Sequence, residues 1–186
     1  VPQEVLDALT DVQVVVNAGE VASGFELRFK LSSHSPLHTL FLVSGGTMLP
    51  VVRVILVATI NGSSEVLIDG VMTNHQVLPG TDPGISTLVV KGKDLTALMA
   101  YIDFSGLPYP AMPVAARVLL ILAKYAPLGV IPLVIPPVLT DVPVPTEKIP
   151  RHQGKDLGYL EQLAAEAGYV FYIKPGPVPG TSTAYW

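Results

Sequence analysis

Few residues in this chain are of a type and spacing that could do chemistry, and each candidate pattern is incomplete. His34 and His38 stand four apart, the interval at which two imidazoles on one helix face can share a metal ion. Pro36 lies between them and breaks the helix that such an interval needs, and no nearby carboxylate completes a set of three ligands. His75 falls in an alternating strand pattern and His152 in a loop, so both read as surface histidines. Ser44-Gly45-Gly46-Thr47 is a glycine turn after an apolar run. It lacks the lysine and the spacing of a G-x-x-x-x-G-K-[ST] phosphate loop and reads as a plain loop. Ser105-Gly106 has no G-x-S-x-G elbow around it, so no hydrolase nucleophile is supported. Glu161 and Glu166 fall on the polar side of a helical pattern, which is a solvated face. No catalytic, cofactor-binding or metal-ligating residue is assigned, and the chain does not read as an enzyme.

The elements that would have to position such groups say more. At 186 residues the chain can hold one large or two small domains with a real core. Hydrophobic residues make up 49% and charged residues 14%, low against a typical ~25%. Two explanations stand: apolar surface covered by other subunits, or a valine-rich β core. Net charge −4 and eleven scattered basic residues argue against specific nucleic-acid binding. The absence of cysteine removes disulfides, thiolate metal sites and cysteine nucleophiles. The most apolar stretch, 111–139, contains Arg117, Lys124 and five prolines, so membrane insertion by this segment is not expected. The acidic amino end does not read as a signal peptide.

From Asp11 to about Lys93 the pattern is β. Phe25, Leu27, Phe29 and Leu31 alternate with Glu26, Arg28, Lys30 and Ser32, which predicts a strand with its aromatic face in a core. Val51 to Ile60 is nearly continuous in apolar residues, with Arg53 the exception. Asn61-Gly62 then predicts a hairpin into a strand through Glu65–Ile68 and Val71–Leu78. Pro79 to Gly84 is a turn and Ile85–Val90 a further strand, while Leu37–Val43 fits a strand or a helical turn. Five or six strands in ~80 residues predict a small antiparallel barrel or sandwich.

The character changes at Lys91-Gly92-Lys93-Asp94-Leu95. Asp94 is a plausible N-cap for a helical stripe of Leu95, Leu98, Met99 and Ile102, followed by a linker over 104–110. Pro113 opens a second helix over 114–125. Residues 128–150 are proline-dense, with strand pieces expected near 131–135 and 138–142. A third helix over 155–167 has Leu157, Leu160, Leu163, Ala164 and Ala167 on one face, Asp156 as a possible cap and Gly168 as its left-handed stop. A strand over 169–174 is expected to close over that face. Residues 174–186 read as a linker or lead-in strand.

The wording of 153–173, QGKDLGYLEQLAAEAGYVFYI, resembles the Q-G-x-D-L-x-x-L-x-x-L-A-x-x-x-G-Y-x-F-Y signature of the tail-hub family. That family comprises the phage late control D proteins, the central hub of myophage baseplates and the hub region of VgrG in type VI secretion. Gln153, Gly154, Asp156, Leu157, Leu163, Ala164, Gly168, Tyr169, Phe171 and Tyr172 stand at matching positions. Tyr159 departs from it, the family having Phe or an aliphatic residue there. Two further stretches, about 91–99 and 112–125, match in the same order, so the resemblance covers about a third of the chain.

The resemblance implies an α+β fold: a small antiparallel β-barrel followed by a helix-strand subdomain. The expected divisions are a tube-like barrel domain at 1–93, a connecting helix and linker at 94–110 and an α+β hub subdomain at 111–174. A linker toward a missing second barrel is expected at 175–186. Val1 in place of an initiating Met fits a piece of a longer chain. The implied function is structural: a baseplate hub of a contractile phage tail or injection system. It would form a homotrimer that adapts a six-fold inner tube to a three-fold spike. Implied partners are the inner tube protein, the spike protein and other baseplate proteins, in a virion tail or injection-particle baseplate assembled in the bacterial cytoplasm. No cofactor is implied. The other function class consistent with the same residues is a small β-barrel ligand- or peptide-binding module with a helical appendage.

Overall fold

A computed structural model of the chain describes residues 3–18, 21–32, 51–80, 84–138 and 142–186. His34, His38, Ser44–Thr47 and the uncertain element at 37–43 lie outside the described residues. The fold is α+β, with a curled five-stranded antiparallel sheet, helices and a second small sheet. A one-turn helix α1 (Gln3–Asp7) precedes β1 (Leu9–Val15), β2 (Gly24–Ser32), β3 (Arg53–Ile60), β4 (Ser63–Pro79) and β5 (Ile85–Asp94). The strand order is β1-β2-β5-β4-β3. β1 and β3 are the two edges, so the expected barrel is an open half-barrel among the described residues.

The alternation in β2 is observed as expected. Phe25, Leu27, Phe29 and Leu31 are buried and Arg28 and Lys30 exposed, because one face of the sheet meets Ile68, Met72, Leu88 and Val90. The β3–β4 hairpin turns at Asn61 (φ 51°) and Gly62 (φ 81°), the positive pair that a tight hairpin turn requires. β4 is long enough to serve two partners. Its first half pairs with β3 and its second half with β5, and register shifts at Leu56/Val57 and Met72/Asn74 bend the sheet between them. Gly92 is where the bent layers touch most closely. A Cβ there would lie 2.1 Å from the Phe25 ring and 2.5 Å from the Val71 carbonyl oxygen.

Beyond β5 the chain departs from expectation. The strand runs on to Asp94 and the helix is a single turn, α2 (Thr96–Met99). Leu95 and Met99 are buried, but Tyr101 and Ile102 are exposed, so the helical stripe has nothing to pack on past Met99. The segment expected as a linker at 104–110 carries Tyr109 into the core at 1% exposure. It is held by bridges pairing Asp103 with Lys155 and Pro108 with Arg151. Helix α3 (Val114–Ala123) is followed by a 3-10 turn at Ala126–Leu128 and β6 (Val130–Leu133). The second expected strand piece, 138–142, falls largely outside the described residues.

Helix α4 (Asp156–Ala167) ends at Gly168, φ 75°, as expected. The following strand is shorter than predicted: Phe171 and Ile173 are buried, but pairing begins only at β7 (Tyr172–Pro175). The final stretch, read as a linker or lead-in strand, supplies β8 (Ser182–Tyr185), the middle strand of the sheet β6-β8-β7. It runs parallel to β6 and antiparallel to β7, with α4 inside the crossover that a parallel pair needs. Ala184 is fully buried, and Trp186, 3% exposed, donates its indole N–H to the Leu160 carbonyl at 3.2 Å. A terminal Trp with a buried N–H partner is a core residue, whatever the prolines before it suggest.

Leu160 and Leu163 are at 0% and 2% exposure in the larger core. Leu160→Asp or Leu163→Asp is expected to abolish soluble folded protein, since an unpaired carboxylate there costs several kcal/mol. Gly92→Ala is expected to cost about 1–3 kcal/mol by overpacking in a denaturant titration. An unchanged midpoint would show that β5 does not approach Phe25 as described.

Candidate assembly surface and its buried brace

The described residues bring together no set of three or more His, Asp or Glu side chains able to hold a metal. What they do bring together is a buried charge cluster between α3 and α4. Asp156 has no solvent exposure. Its carboxylate accepts from Lys124 Nζ at 2.7 Å and from the Tyr125 hydroxyl at 2.7 Å. His152, 2% exposed, places Nε2 3.3 Å from the same carboxylate, off the hydrogen-bonding direction, and its Nδ1 bonds the Tyr109 hydroxyl at 2.8 Å. Phe104 and Tyr159 pack on the imidazole, and the Lys124 ammonium lies 3.7 Å from the centre of the Phe104 ring.

This corrects two expectations. His152 is not a surface histidine, because the bridge at Pro108/Arg151 draws its loop inside. Asp156 does not cap α4: Lys155 is the N-cap and Asp156 is the first helical residue, turned inward. The signal for both was present. Asp156 is in phase with Leu160 and Leu163 (i, i+4, i+7), and a charge in phase with an apolar stripe needs buried partners. Tyr159, the departure from the hub signature, is buried and accepts from Arg117 Nη1 at 2.8 Å. Burial pushes the Tyr109 phenol up to about 12, and burial together with the Asp156 hydrogen bond raises that of Tyr125. Burial lowers the pKa of His152 against the opposing pull of Asp156, which keeps the ring neutral. A cluster of this kind, reached by water only through Lys124, can hold four segments in register.

A second clasp joins the two sheets. Arg53, the exception in the apolar run of β3, donates from Nε to Asp69 Oδ1 at 2.8 Å and from Nη2 to Oδ2 at 2.6 Å. The same Nη2 reaches the Gly180 carbonyl at 3.1 Å, and Ser182 Oγ lies 3.5 Å from Asp69. The bidentate pairing with buried Asp69 raises the Arg53 pKa, which strengthens the case for a permanent ion pair. Asp94, expected as a helix cap, accepts from the Thr96 backbone N–H at the start of α2 at 3.0 Å, as a cap does, and also from the Ser23 N–H at 3.1 Å, tying the β1–β2 loop to the end of β5.

The surface these braces support is apolar and open. Among the described residues nothing pairs with the outer edges of β1 and β3, where Val12, Val15, Val57 and Ile60 are 43–70% exposed. β3 carries no proline or lysine, the usual guards of a free edge. Between the sheets lies an open groove of about 560 Å³, lined by Glu65, Leu67, Lys174, Thr183 and Tyr185 among others. His75 is half-buried on β4. No described helix is long and apolar enough to cross a membrane.

No protein-family model matches the chain, and no curated protein does. Solved structures share its fold. A tail protein from Neisseria meningitidis aligns over 90% of this chain at 16% identity and a TM-score of 0.52. An E. coli component of the type VI secretion system, itself similar to the T4 bacteriophage tail proteins gp27 and gp5, aligns over 95% at 12% identity and a TM-score of 0.58. A 43 kDa tail protein of a Shewanella oneidensis prophage aligns over 93% at 14% identity and a TM-score of 0.51. The chain spans about half the length of these proteins, covering 43%, 49% and 51% of them.

Two changes probe the brace. Asp156→Asn is expected to cost about 3 kcal/mol in a denaturant titration, the lower end for breaking a buried pair, because Lys124 can still reach water. Because folding lowers the His152 pKa, the unfolded chain takes up the proton first as pH falls. The stability His152 contributes is therefore full above its ordinary 6.5 and declines below it. Melting temperature should drop from pH 7 to pH 5, and His152→Gln should flatten that drop. An equal acid slope in the variant would place the titrating group elsewhere.

Proposed function

We propose that this chain is part of the hub of a contractile phage tail or injection system. In this reading three copies form a ring that adapts the inner tube to the spike. The observation that carries it is the fold shared with three tail and secretion-system proteins over nine-tenths or more of this chain. The hub-like wording of 153–173 and the open edges of β1 and β3 support it independently. Strand edges and exposed β-branched residues are what intersubunit pairing uses. Its partners in this reading are the inner tube protein, the spike protein and other baseplate proteins. The work asked of the chain is stiffness under thrust, which suits two sheets joined by the Arg53–Gly180 and Ser182–Asp69 hydrogen bonds and by a common core.

The role is structural and involves no turnover. Its place is a virion tail or an injection-particle baseplate, assembled in the bacterial cytoplasm. A second tube-like barrel following this segment would give a trimer six quasi-equivalent faces toward a six-fold tube. The groove of about 560 Å³ is the one feature that favours the other reading, a ligand- or peptide-binding module.

Sedimentation and native mass measurement decide between them. The hub reading expects a species of three times the 19.7 kDa of one chain, with three-fold particle images. A chain that stays monomeric at every concentration tested would remove it.

A further inference from the structure

Arg117 is the one buried cation among the described residues that lacks a counter-charge. It is 9% exposed, its single hydrogen-bond partner is the neutral Tyr159 hydroxyl at 2.8 Å, and its Nε is buried with no partner. None of the ion pairs among the described residues includes it. Of the buried carboxylates, Asp69 has Arg53 and Asp156 has Lys124, while Asp94 is held by the Ser23 and Thr96 N–H groups. A buried charge without an opposite one destabilises the fold that carries it.

The surroundings add to the deficit. Arg117 stands at the fourth position of α3, whose N-cap is Pro113, with no side-chain cap and no acidic residue in the first turn. The positive end of that helix is therefore uncompensated as well. Just before it, Ala111 is held at φ 53°, uncommon for a residue with a Cβ. Arg117 and the helix end thus put two positive features at one corner with no negative charge paired to them among the described residues.

We infer that this corner is where a second copy of the chain docks, through a carboxylate of its acidic amino-terminal segment. The inference rests on the homo-oligomeric reading above. The first twenty residues contain Glu4, Asp7, Asp11 and Glu20 and no Lys or Arg. On α1, Glu4 and Asp7 are exposed and take part in no ion pair among the described residues. Leu6 beside them and Leu120, one turn along α3 from Arg117, are both 49% exposed, so an apolar contact can flank the charged one. Two different patches meet in such a contact. It is heterologous, the kind that closes into rings. A planar carboxylate fits a guanidinium better than any other side-chain anion.

The test separates folding from association. Arg117→Met keeps the volume and removes the charge. The variant is expected to melt at or above the parent temperature while self-association, measured by sedimentation, weakens at least tenfold. Glu4→Lys with Asp7→Lys, at exposed positions where folding is not at stake, should weaken association to a similar degree. Combining the two changes should add little, because they remove the same contact. A folded Arg117→Met protein that associates like the parent overturns the inference and leaves the hub reading standing, as do additive losses. If Arg117→Met does not fold, unchanged association of the α1 variant overturns it. A parent chain that never associates removes both.

Discussion

A carboxylate sealed from water must be supplied with hydrogen-bond donors, and the segments around α3 and α4 are arranged to meet that need. Asp156 is the residue in question. Its donors come from the end of α3 (Lys124, Tyr125), and His152 comes from the strand-like stretch preceding α4. His152 in turn fixes Tyr109 and so the 104–110 segment. Four segments, those carrying Tyr109, Lys124 with Tyr125, His152 and Asp156 itself, are thereby tied to one side chain. Apolar packing alone would let α3 slide along α4 by a fraction of a turn. A carboxylate with set donors admits one register.

The two sheets are joined with the same economy of means. Val71, Leu95 and Met99 leave the half-barrel and enter the core built by α3, α4, Phe171, Ile173 and Trp186. The Arg53–Asp69 pair then seals the junction and reaches Gly180 across it. Within the second sheet, Gly129 lets the start of β6 approach the turn before β8, since a Cβ there would lie 2.0 Å from the Gly180 oxygen. Apolar side chains provide the bulk of the cohesion, and the Arg53–Gly180 and Ser182–Asp69 hydrogen bonds cross between the two sheets.

Local elements were legible in the sequence wherever one rule acted alone. The period of two in β2, the Asn61-Gly62 hairpin, the start of α3 after Pro113 and the stop of α4 at Gly168 all appear as expected. The misreadings share a cause: tertiary partners overrode a local signal. Ile102 continues the helical period after Met99, but no surface receives it. The prolines and glycines of 174–186 read as a linker or a lead-in strand; a strand forms, but Trp186 has a slot beneath Leu160 that no local pattern reveals. His152 sits in an irregular segment, which ordinarily means exposure, but the pairing of 108 with 151 is non-local. The charged residues that interrupt apolar patterns, Arg53, Arg117 and Asp156, were the readable trace of the buried joints. Each is out of place by periodicity and in place by pairing, except Arg117.

The open edges follow from how β4 is used. A strand that serves β3 with one half and β5 with the other bends the sheet at Met72/Asn74, and such a sheet curls without closing among the described residues. An edge left unpaired and unguarded is costly for a protein that works alone, since it invites any passing strand. The same edge is an asset where a defined neighbour covers it. With only 14% of its residues charged, the chain has few means of keeping Val57 and Ile60 in solution by repulsion. The stiff joint behind the sheet then has a purpose of its own. It ties the β3 edge to the second sheet through the Arg53–Gly180 hydrogen bond, so that edge is held in place.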